Sequence, residues 1–281
     1  METGQKTIQK NNSLTQHNTK ALSIQISLSG LSFCILNSTI QTIEFLEHKR
    51  FNKKLNPLET LEQLQLVLDN NSVFTQSFAS VLAIYQNELS SLVPKELFDE
   101  KNSADYLKFN AKILKSDFIS HDNIDICKSV NVYVPLVNVN NYLFDQFGIF
   151  DYKHTSTILI DSVLKKERSS EDTKLYINVS EFSFELIAVK NGELLLYNSF
   201  EYSTKEDFIY YILFTLEQLQ LNPEIVKVKL SGMIKKDDEL YAILYKYIRY
   251  VEFVTTDNNF NFDINQKPVT KHNDFVILNS F

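Results

Sequence analysis

Glycine is scarce in this sequence: the 281 residues contain five, well below the average share of about 7%. Loops that close around phosphates depend on glycine, because the missing side chain lets backbone N–H groups approach the ligand. The sequence also contains no P-loop, no G-x-S-x-G, no H-E-x-x-H and no paired C-x-x-C string. These absences disfavour catalytic phosphoryl transfer.

Cysteine is nearly absent as well. The two cysteines, Cys34 and Cys127, lie far apart in sequence, each inside an apolar, strand-like run. A disulfide needs an oxidising compartment, and two thiols without metal-ligand spacing do not make a zinc site. We therefore expect two buried, reduced thiols in a cytoplasmic protein.

Long apolar runs are missing too. The longest, residues 208–214, is far too short to span a bilayer. The N-terminal segment is polar and lacks the apolar core of a signal peptide. We expect a flexible polar tail over residues 1–20, a cytoplasmic location and no direct membrane insertion.

Basic residues are not in excess. The net charge is −7 and the pI is about 5.3, whereas non-specific nucleic-acid binding needs a concentrated positive surface. One modest basic cluster joins His48–Arg50 with Lys53 and Lys54. We interpret it as a solvated loop rather than a phosphate-binding patch, and we expect no nucleic-acid partner.

Apolar residues, by contrast, form 44% of the chain, enough for a sizeable core. Two stretches alternate apolar and polar residues as three successive strands each: "LSIQISLSGLSFCILNSTIQTIEF" (22–45) and "LYINVSEFSFELIAVKNGELLLYNSF" (175–200). Each is followed by a helical pattern and further strands. Both halves thus read β-β-β-α-β-α-β, offset by about 150 residues (22 against 175). This order predicts a duplicated α/β fold with mixed sheets.

Residues 168–173 are charged and rich in small side chains, which is typical of a domain boundary. They divide the chain into two predicted lobes, 21–170 and 171–281. We predict a strand within 155–168, a hairpin turn at Asn191-Gly192, and a capping box, Ser203-x-x-Glu206, opening the helix Thr204–Leu219. The last segment, 272–281, is predicted to be a strand or helix packed on the body.

Two lobes of this type, together with "SLVP" (91–94) before a short helix, resemble the actin/Hsp70/sugar-kinase superfamily, whose fold is the actin-like ATPase or ribonuclease H-like fold. The chain also resembles an uncharacterised family of Bacteroidetes proteins, the DUF3822-like family, that shares this fold. The resemblance covers nearly the whole chain after the tail and rests on pattern and short strings.

In that superfamily the first hairpin of each lobe carries an acidic residue and a glycine-rich turn, which hold Mg²⁺ and phosphates. The resemblance places these positions at Ser27 and Gly30 in the first lobe and at Asn178 in the second, where no glycine follows. The adenosine turn falls at Ser231-Gly232. The resemblance thus implies a degenerate nucleotide site with no catalytic residues, in which ATP and Mg²⁺ are disfavoured and no cofactor is expected.

Other polar residues offer weaker candidates. His121-Asp122 and His154 lie near predicted strand ends, where we expect surface or capping roles. Asp161 is interpreted as a helix N-cap or as a carboxylate at a sheet edge. The acidic run Asp237–Glu239 lies at a predicted helix start, where it complements the dipole better than it would bind a metal. Residues 258–266 are interpreted as an exposed recognition loop or an edge strand.

These observations favour a non-catalytic actin-like binding or scaffold protein with a protein partner. Two alternatives remain open. One is a divergent nucleotide-binding kinase or ATPase that uses carboxylates such as Asp161. The other is a cytoplasmic assembly platform for a membrane machine.

Overall fold

The computed structural model describes residues 19–109, 111–255, 260–264, 266, 270 and 272–281. The predicted flexible tail, residues 1–20, lies outside the described residues except for its last two positions. Within the described chain no helix is both long enough and apolar enough to cross a membrane.

The elements follow the predicted repeat. The first half contains β1 (Lys20–Ser27), β2 (Gly30–Asn37), β3 (Thr42–Arg50), α1 (Pro57–Asn70), β4 (Ser80–Gln86), β5 (Ser90–Pro94), α2 (Ser103–Lys108), β6 (Ser120–Ile124), β7 (Ser129–Tyr133), α3 (Val137–Phe147), β8 (Asp151–His154) and α4 (Thr155–Glu167). The second half contains β9 (Thr173–Val179), β10 (Ser183–Lys190), β11 (Glu193–Glu201), α5 (Lys205–Gln218), β12 (Lys227–Gly232), α6 (Glu239–Tyr247), β13 (Tyr250–Phe253), β14 (Asn261–Phe262) and α7 (Phe275–Leu278).

Two mixed sheets organise these strands, in the orders β14-β3-β2-β1-β4-β8 and β11-β10-β9-β12-β13. In each sheet the first strand of the lobe pairs antiparallel with the second and parallel with the strand that follows the helix. The predicted duplicated α/β fold with mixed sheets is confirmed. A third sheet, β5-β7-β6, is inserted between β4 and α3, where the sequence indicated only loops, a short helix and one strand.

The predicted hairpin turn is confirmed. Asn191 and Gly192 have φ values of 53° and 74° between the paired residues Lys190 and Glu193, as a two-residue hairpin turn requires.

The predicted capping box is wrong by one residue. Helix α5 is capped by Thr204, whose side chain accepts a hydrogen bond from the Asp207 N–H, and the Asp207 carboxylate accepts one from the Thr204 N–H. This register places Phe208 and Ile212 in the core. The prediction failed because Ser203/Glu206 and Thr204/Asp207 satisfy the same pattern.

The predicted strand within 155–168 is also wrong, because these residues form helix α4. Residues 155–160 are all buried, and so are Val163 and Leu164. The first six residues of α4 are buried in succession and show no 3.6-residue apolar stripe, so a short apolar run of this kind cannot be told from a strand by its periodicity.

Three cores place this helix at the centre of the molecule. One face of the first sheet packs against α1 and α3, and one face of the second sheet packs against α5 and α6. The other faces of both sheets contribute to a common core with α4 and α7. The two lobes are therefore joined through an apolar layer.

The C-terminal segment ties the lobes together. Strand β14 adds to β3 in the first sheet, while the His272 carbonyl accepts a hydrogen bond from the Gly232 N–H at the end of β12. The predicted terminal strand or helix is the buried helix α7. The domain bounds 21–170 and 171–281 stay a prediction. Although β14 and α7 belong to the second of these segments, both lie against the first lobe.

We expect α4 to respond to substitution as a helix. Ile160→Ala should lower the free energy of unfolding by about 2–5 kcal/mol, and Val163→Ala should lower it by about 2 kcal/mol. Both side chains are fully buried and lie three residues apart. Asp161→Ala is the matched control. Its half-exposed carboxylate forms only an ion pair with Lys165 at 2.5 Å, so its cost should stay below about 0.5 kcal/mol. Urea unfolding measures all three, and a large cost for Asp161→Ala would contradict the helical register.

Candidate functional site: an interlobe cleft

The first hairpins of the two lobes face each other across a cleft. Strands β1 and β4 are parallel and end together at Ser27 and Gln86, and β9 and β12 end together at Val179 and Gly232. All four ends line one cavity of about 120 Å³. Arg50 lies at its edge, and we call it the Arg50 cavity. A second cavity of about 70 Å³ lies beside it.

A chain of side-chain hydrogen bonds joins the lobes across this cleft. Gln25 Nε2 donates to Gln86 Oε1 at 2.8 Å, and Gln86 Nε2 donates to Ser180 Oγ at 2.6 Å. The two hairpins are thereby held together by neutral groups.

In the first hairpin, Ser27 and Gly30 have local structural roles. The Ser27 hydroxyl donates to the Gly30 carbonyl at 2.9 Å, and its oxygen accepts from the Ser29 N–H at 3.2 Å. A Cβ atom on Gly30 would lie 2.7 Å from the Lys49 carbonyl oxygen. Glycine is thus needed here because β3 approaches closely, whether or not a ligand binds.

In the second lobe, Asn178 and Ser231 bond to each other. The buried Asn178 side chain accepts from Ser231 Oγ at 3.0 Å and donates to Glu185 Oε2 at 3.0 Å. Gly232 has φ of 80°, and a Cβ atom there would lie 2.1 Å from the Val179 carbonyl oxygen. The structure brings Ser27, Gly30, Asn178 and Gly232 to the Arg50 cavity, with Ser231 behind Asn178. Their role as nucleotide-site positions stays a prediction.

Part of the basic cluster was wrongly assigned to a solvated loop: Lys53 and Lys54 lie in the exposed loop between β3 and α1, but His48–Arg50 do not. His48–Arg50 form the end of β3 and line the Arg50 cavity. His48 Nε2 lies 2.7 Å from the buried Asp274 carboxylate, and His48 Nδ1 lies 2.8 Å from Ser32 Oγ. Within the described chain no carboxylate forms an ion pair with Arg50, so its guanidinium is available to a ligand.

Glu185 is a site residue that the sequence did not reveal. It lies on β10 opposite Asn178 and lines the second cavity, which we call the Glu185 cavity. Its carboxylate accepts from Asn178 Nδ2 and Tyr197 Oη, each at 3.0 Å. Burial raises the pKa of Glu185 to about 7, although both hydrogen bonds act in the opposite direction. The sequence signal for this site residue was a single acidic residue within the apolar run "FELIAV".

The remaining candidates lie elsewhere. His154 caps α4, with Nδ1 2.7 Å from Ser156 Oγ, and burial lowers its pKa to about 4. Asp122 accepts from the His154 N–H at 2.9 Å, while His121 packs on Phe98.

One acidic prediction needs correction, whereas the placement of Asp237–Glu239 at the start of a helix is confirmed by α6, which begins at Glu239. Asp161 lies within α4, so it is neither an N-cap nor a sheet-edge carboxylate. Asp238 is the N-cap of α6 by position, but its side chain makes no capping bond and instead accepts from the Lys235 N–H. Of the segment 258–266, the described residues Asn261–Phe262 form an edge strand, while 258, 259 and 265 lie outside the described residues.

The duplicated lobes agree with the fold found in the comparisons to known proteins. The model of a family described as "Protein of unknown function (DUF3822)" matches residues 9–251. The chain belongs to the DUF3822 family. None of the curated proteins compared with it matches.

Two solved structures resemble this DUF3822 protein over nearly their whole length. One is a Bacteroides thetaiotaomicron protein described as having an actin-like ATPase fold and unknown function, with a TM-score of 0.78, 23% identity, and coverage of 94% of this chain and 97% of that chain. The other comes from a PilM-PilN type IV pilus biogenesis complex, with a TM-score of 0.58, 14% identity, and coverage of 92% and 96%. The actin-like ATPase fold is thereby confirmed.

The Arg50 cavity of this DUF3822 protein does not fit Mg²⁺. Hard cations prefer several carboxylate oxygens, whereas Asp274 is the single carboxylate among the described residues that line the Arg50 cavity, and it contacts His48. Within the described part of the chain, no three His, Cys, Asp or Glu side chains are placed to hold a metal ion.

Gly232 should prove essential for packing. Gly232→Ala should destabilise the protein by more than about 3 kcal/mol, because left-handed strain adds to the clash with Val179. Gly148→Ala is the control, since Gly148 has φ of 76° but a Cβ atom added there would meet no atom within 4 Å; its cost should be about 1–2 kcal/mol. Equal costs, measured by urea unfolding, would contradict the close approach of β9 and β12.

Glu185 should make stability depend on pH. Its folded-state pKa of about 7 lies above the ordinary value of 4.5, so the stabilisation is fully present below pH 4.5 and is lost as the pH rises through 7. The unfolding free energy of the natural protein, minus that of Glu185→Gln, should fall by about 3 kcal/mol between pH 4.5 and pH 8. Other titrating groups cancel in this difference. A flat difference would show that Glu185 is not buried as described.

Proposed function

We propose that this DUF3822 protein is a non-catalytic scaffold that binds a protein partner through its interlobe cleft. The proposal rests on one observation, the lack of charge and the internal hydrogen bonds of Asn178. Where the superfamily uses an acidic residue, Asn178 is neutral, and both ends of its amide are bound inside the protein by Glu185 and Ser231. A neutral side chain cannot neutralise a bound cation, and the two internal bonds leave the Asn178 amide one N–H and one lone pair for a ligand.

The first hairpin supports the same conclusion. Ser27 stands at the other acidic position, and its hydroxyl is engaged within its own turn by Gly30 and Ser29. Gly30 and Gly232 are both needed by close backbone contacts, so neither glycine argues for phosphate binding. Activation of water for phosphoryl transfer requires positioned charge. The side chains at the two acidic positions, Ser27 and Asn178, are neutral.

A protein partner is supported by the fold. The similarity to a chain from a PilM-PilN type IV pilus biogenesis complex indicates that actin-like folds of this size occur in protein assemblies. Phe182, at the mouth of the Glu185 cavity, is 37% exposed, and exposed aromatic side chains are frequent anchors in interfaces. We place the protein in the cytoplasm, where Cys34 and Cys127 stay reduced as free thiols.

A second candidate, nucleotide binding without hydrolysis, is favoured by Arg50. Its guanidinium, which forms no ion pair with the described residues, lies beside the serine-rich first hairpin, and guanidinium groups bind phosphates well. One experiment separates the two candidates from each other and from an ATPase.

We expect 1 mM ATP with Mg²⁺ to produce neither hydrolysis nor a shift in melting temperature. A ligand at 100 times its Kd would add about 2.7 kcal/mol of stability, which is readily seen. A melting shift without hydrolysis would favour the second candidate. Mg²⁺-dependent hydrolysis that is lost in Asn178→Ala would overturn the scaffold proposal.

The partner can be sought by site-specific cross-linking. A photoreactive p-benzoylphenylalanine at Phe182 should form a defined cross-linked complex in cells, whereas the same group at Ile149 should not. Ile149 is the control because it is 88% exposed and lies outside the cleft, between α3 and β8. Identical cross-links from both positions would contradict binding in the cleft.

A further inference from the structure

The rim of the Glu185 cavity carries more negative than positive charge. Lys54 Nζ lies 2.6 Å from the Glu201 carboxylate and 3.3 Å from the Glu88 carboxylate. One ammonium therefore faces two carboxylates, which come from opposite lobes. All three side chains are substantially exposed and can rearrange when a ligand enters.

The base of the same cavity holds a third carboxylate, that of Glu185. It is 5% exposed, and its partners are the neutral side chains of Asn178 on β9 and Tyr197 on β11. No described Lys, Arg or His forms an ion pair with it. A buried carboxylate without a cation is unfavourable, so a cation entering from the rim would be stabilised by both the base and the edge of the cavity.

The walls suit the stem of a long basic side chain. Phe182 and Phe200 line the cavity, and aromatic faces attract ammonium and guanidinium groups and cover their methylene stems. The cavity of about 70 Å³ holds about five water-sized positions, which is enough for a guanidinium group.

We propose that the Glu185 cavity receives a lysine or arginine side chain of the protein partner. This inference rests on the proposed scaffold function and names the chemistry of the contact. Glu185 binds the incoming cation at the base, Glu88 and Glu201 attract it at the rim, and Lys54 is the internal competitor that it displaces.

The test uses the full-length protein and N-acetyl-argininamide as the probe, with N-acetyl-glutaminamide as the uncharged control. Amide shifts of residues 180–185 report binding by NMR at pH 7.5. We expect saturable shifts with the arginine probe and binding at least tenfold weaker with the glutamine probe.

Two variants sharpen the test. Glu185→Gln should weaken arginine binding at least tenfold, and an unchanged spectrum away from the cleft shows that the variant is folded. Lys54→Ala should strengthen binding about threefold or more, because it removes the competitor, a result that a purely structural role for Lys54 would not produce. The same probe should also lower the pKa of Glu185, followed by its carboxyl carbon resonance.

Absence of saturable shifts, or equal binding by the natural protein and Glu185→Gln, would overturn the inference. Tighter binding of free spermidine than of the arginine probe would also overturn it, because the occupant would then be a polyamine. If the probe fails while Phe182 still gives a specific cross-link, the inference fails and the scaffold function stands. ATP hydrolysis would instead remove the scaffold function itself.

Discussion

The apolar layer formed by α4 and α7 sets the geometry of the whole molecule. Each large sheet covers one face with its own helices and would leave the other face in water, and these remaining faces meet across α4 and α7. Burial of apolar surface is the dominant favourable term in folding, and each sheet buries its second face only in this shared layer. The distance between the sheets is consequently fixed by packed side chains, and it in turn fixes the width of the cleft.

Polar side chains in this cleft bond directly to one another. At the carboxyl ends of the central strands, Gln86 reaches across to Ser180, and Asn178 joins Ser231 to Glu185. Groups bonded in this way satisfy one another, as buried polar groups must. Here the protein supplies partners from its own side chains.

The sequence was sufficient to predict the sheets. Their strands bury one face more completely than the other, so apolar residues recur with a period of two, as in Ile24 and Ile26 of β1. The duplicated order of elements and the turn at Asn191-Gly192 followed from local signals alone. Ser27, Gly30, Asn178 and Gly232 were predicted to lie at one site from the resemblance to the actin/Hsp70/sugar-kinase superfamily.

Other features depend on contacts that no local pattern encodes. The first six residues of helix α4 are all buried, which removes the periodicity that would identify the helix there. The interpretation of His48–Arg50 as a loop failed because β3 continues to Arg50, paired with Gly30. Glu185 could not be recognised because its environment comes from three strands. Tyr197 reaches it from β11 and Asn178 from β9, and only the assembled sheet shows that the carboxylate is buried.

The distribution of charge along the cleft argues for a protein segment as the ligand rather than a nucleotide. The Arg50 and Glu185 cavities share Ser27, Ser29, Gln86 and Ser180, yet one is lined by a guanidinium that forms no ion pair with the described residues and the other by three carboxylates. A triphosphate extending past Arg50 would bring its charge towards Glu88 and Glu201, where like charges repel. A polypeptide can instead offer an acidic group to Arg50 and a basic one to Glu185, because its side chains carry charges of both signs at adjustable spacing.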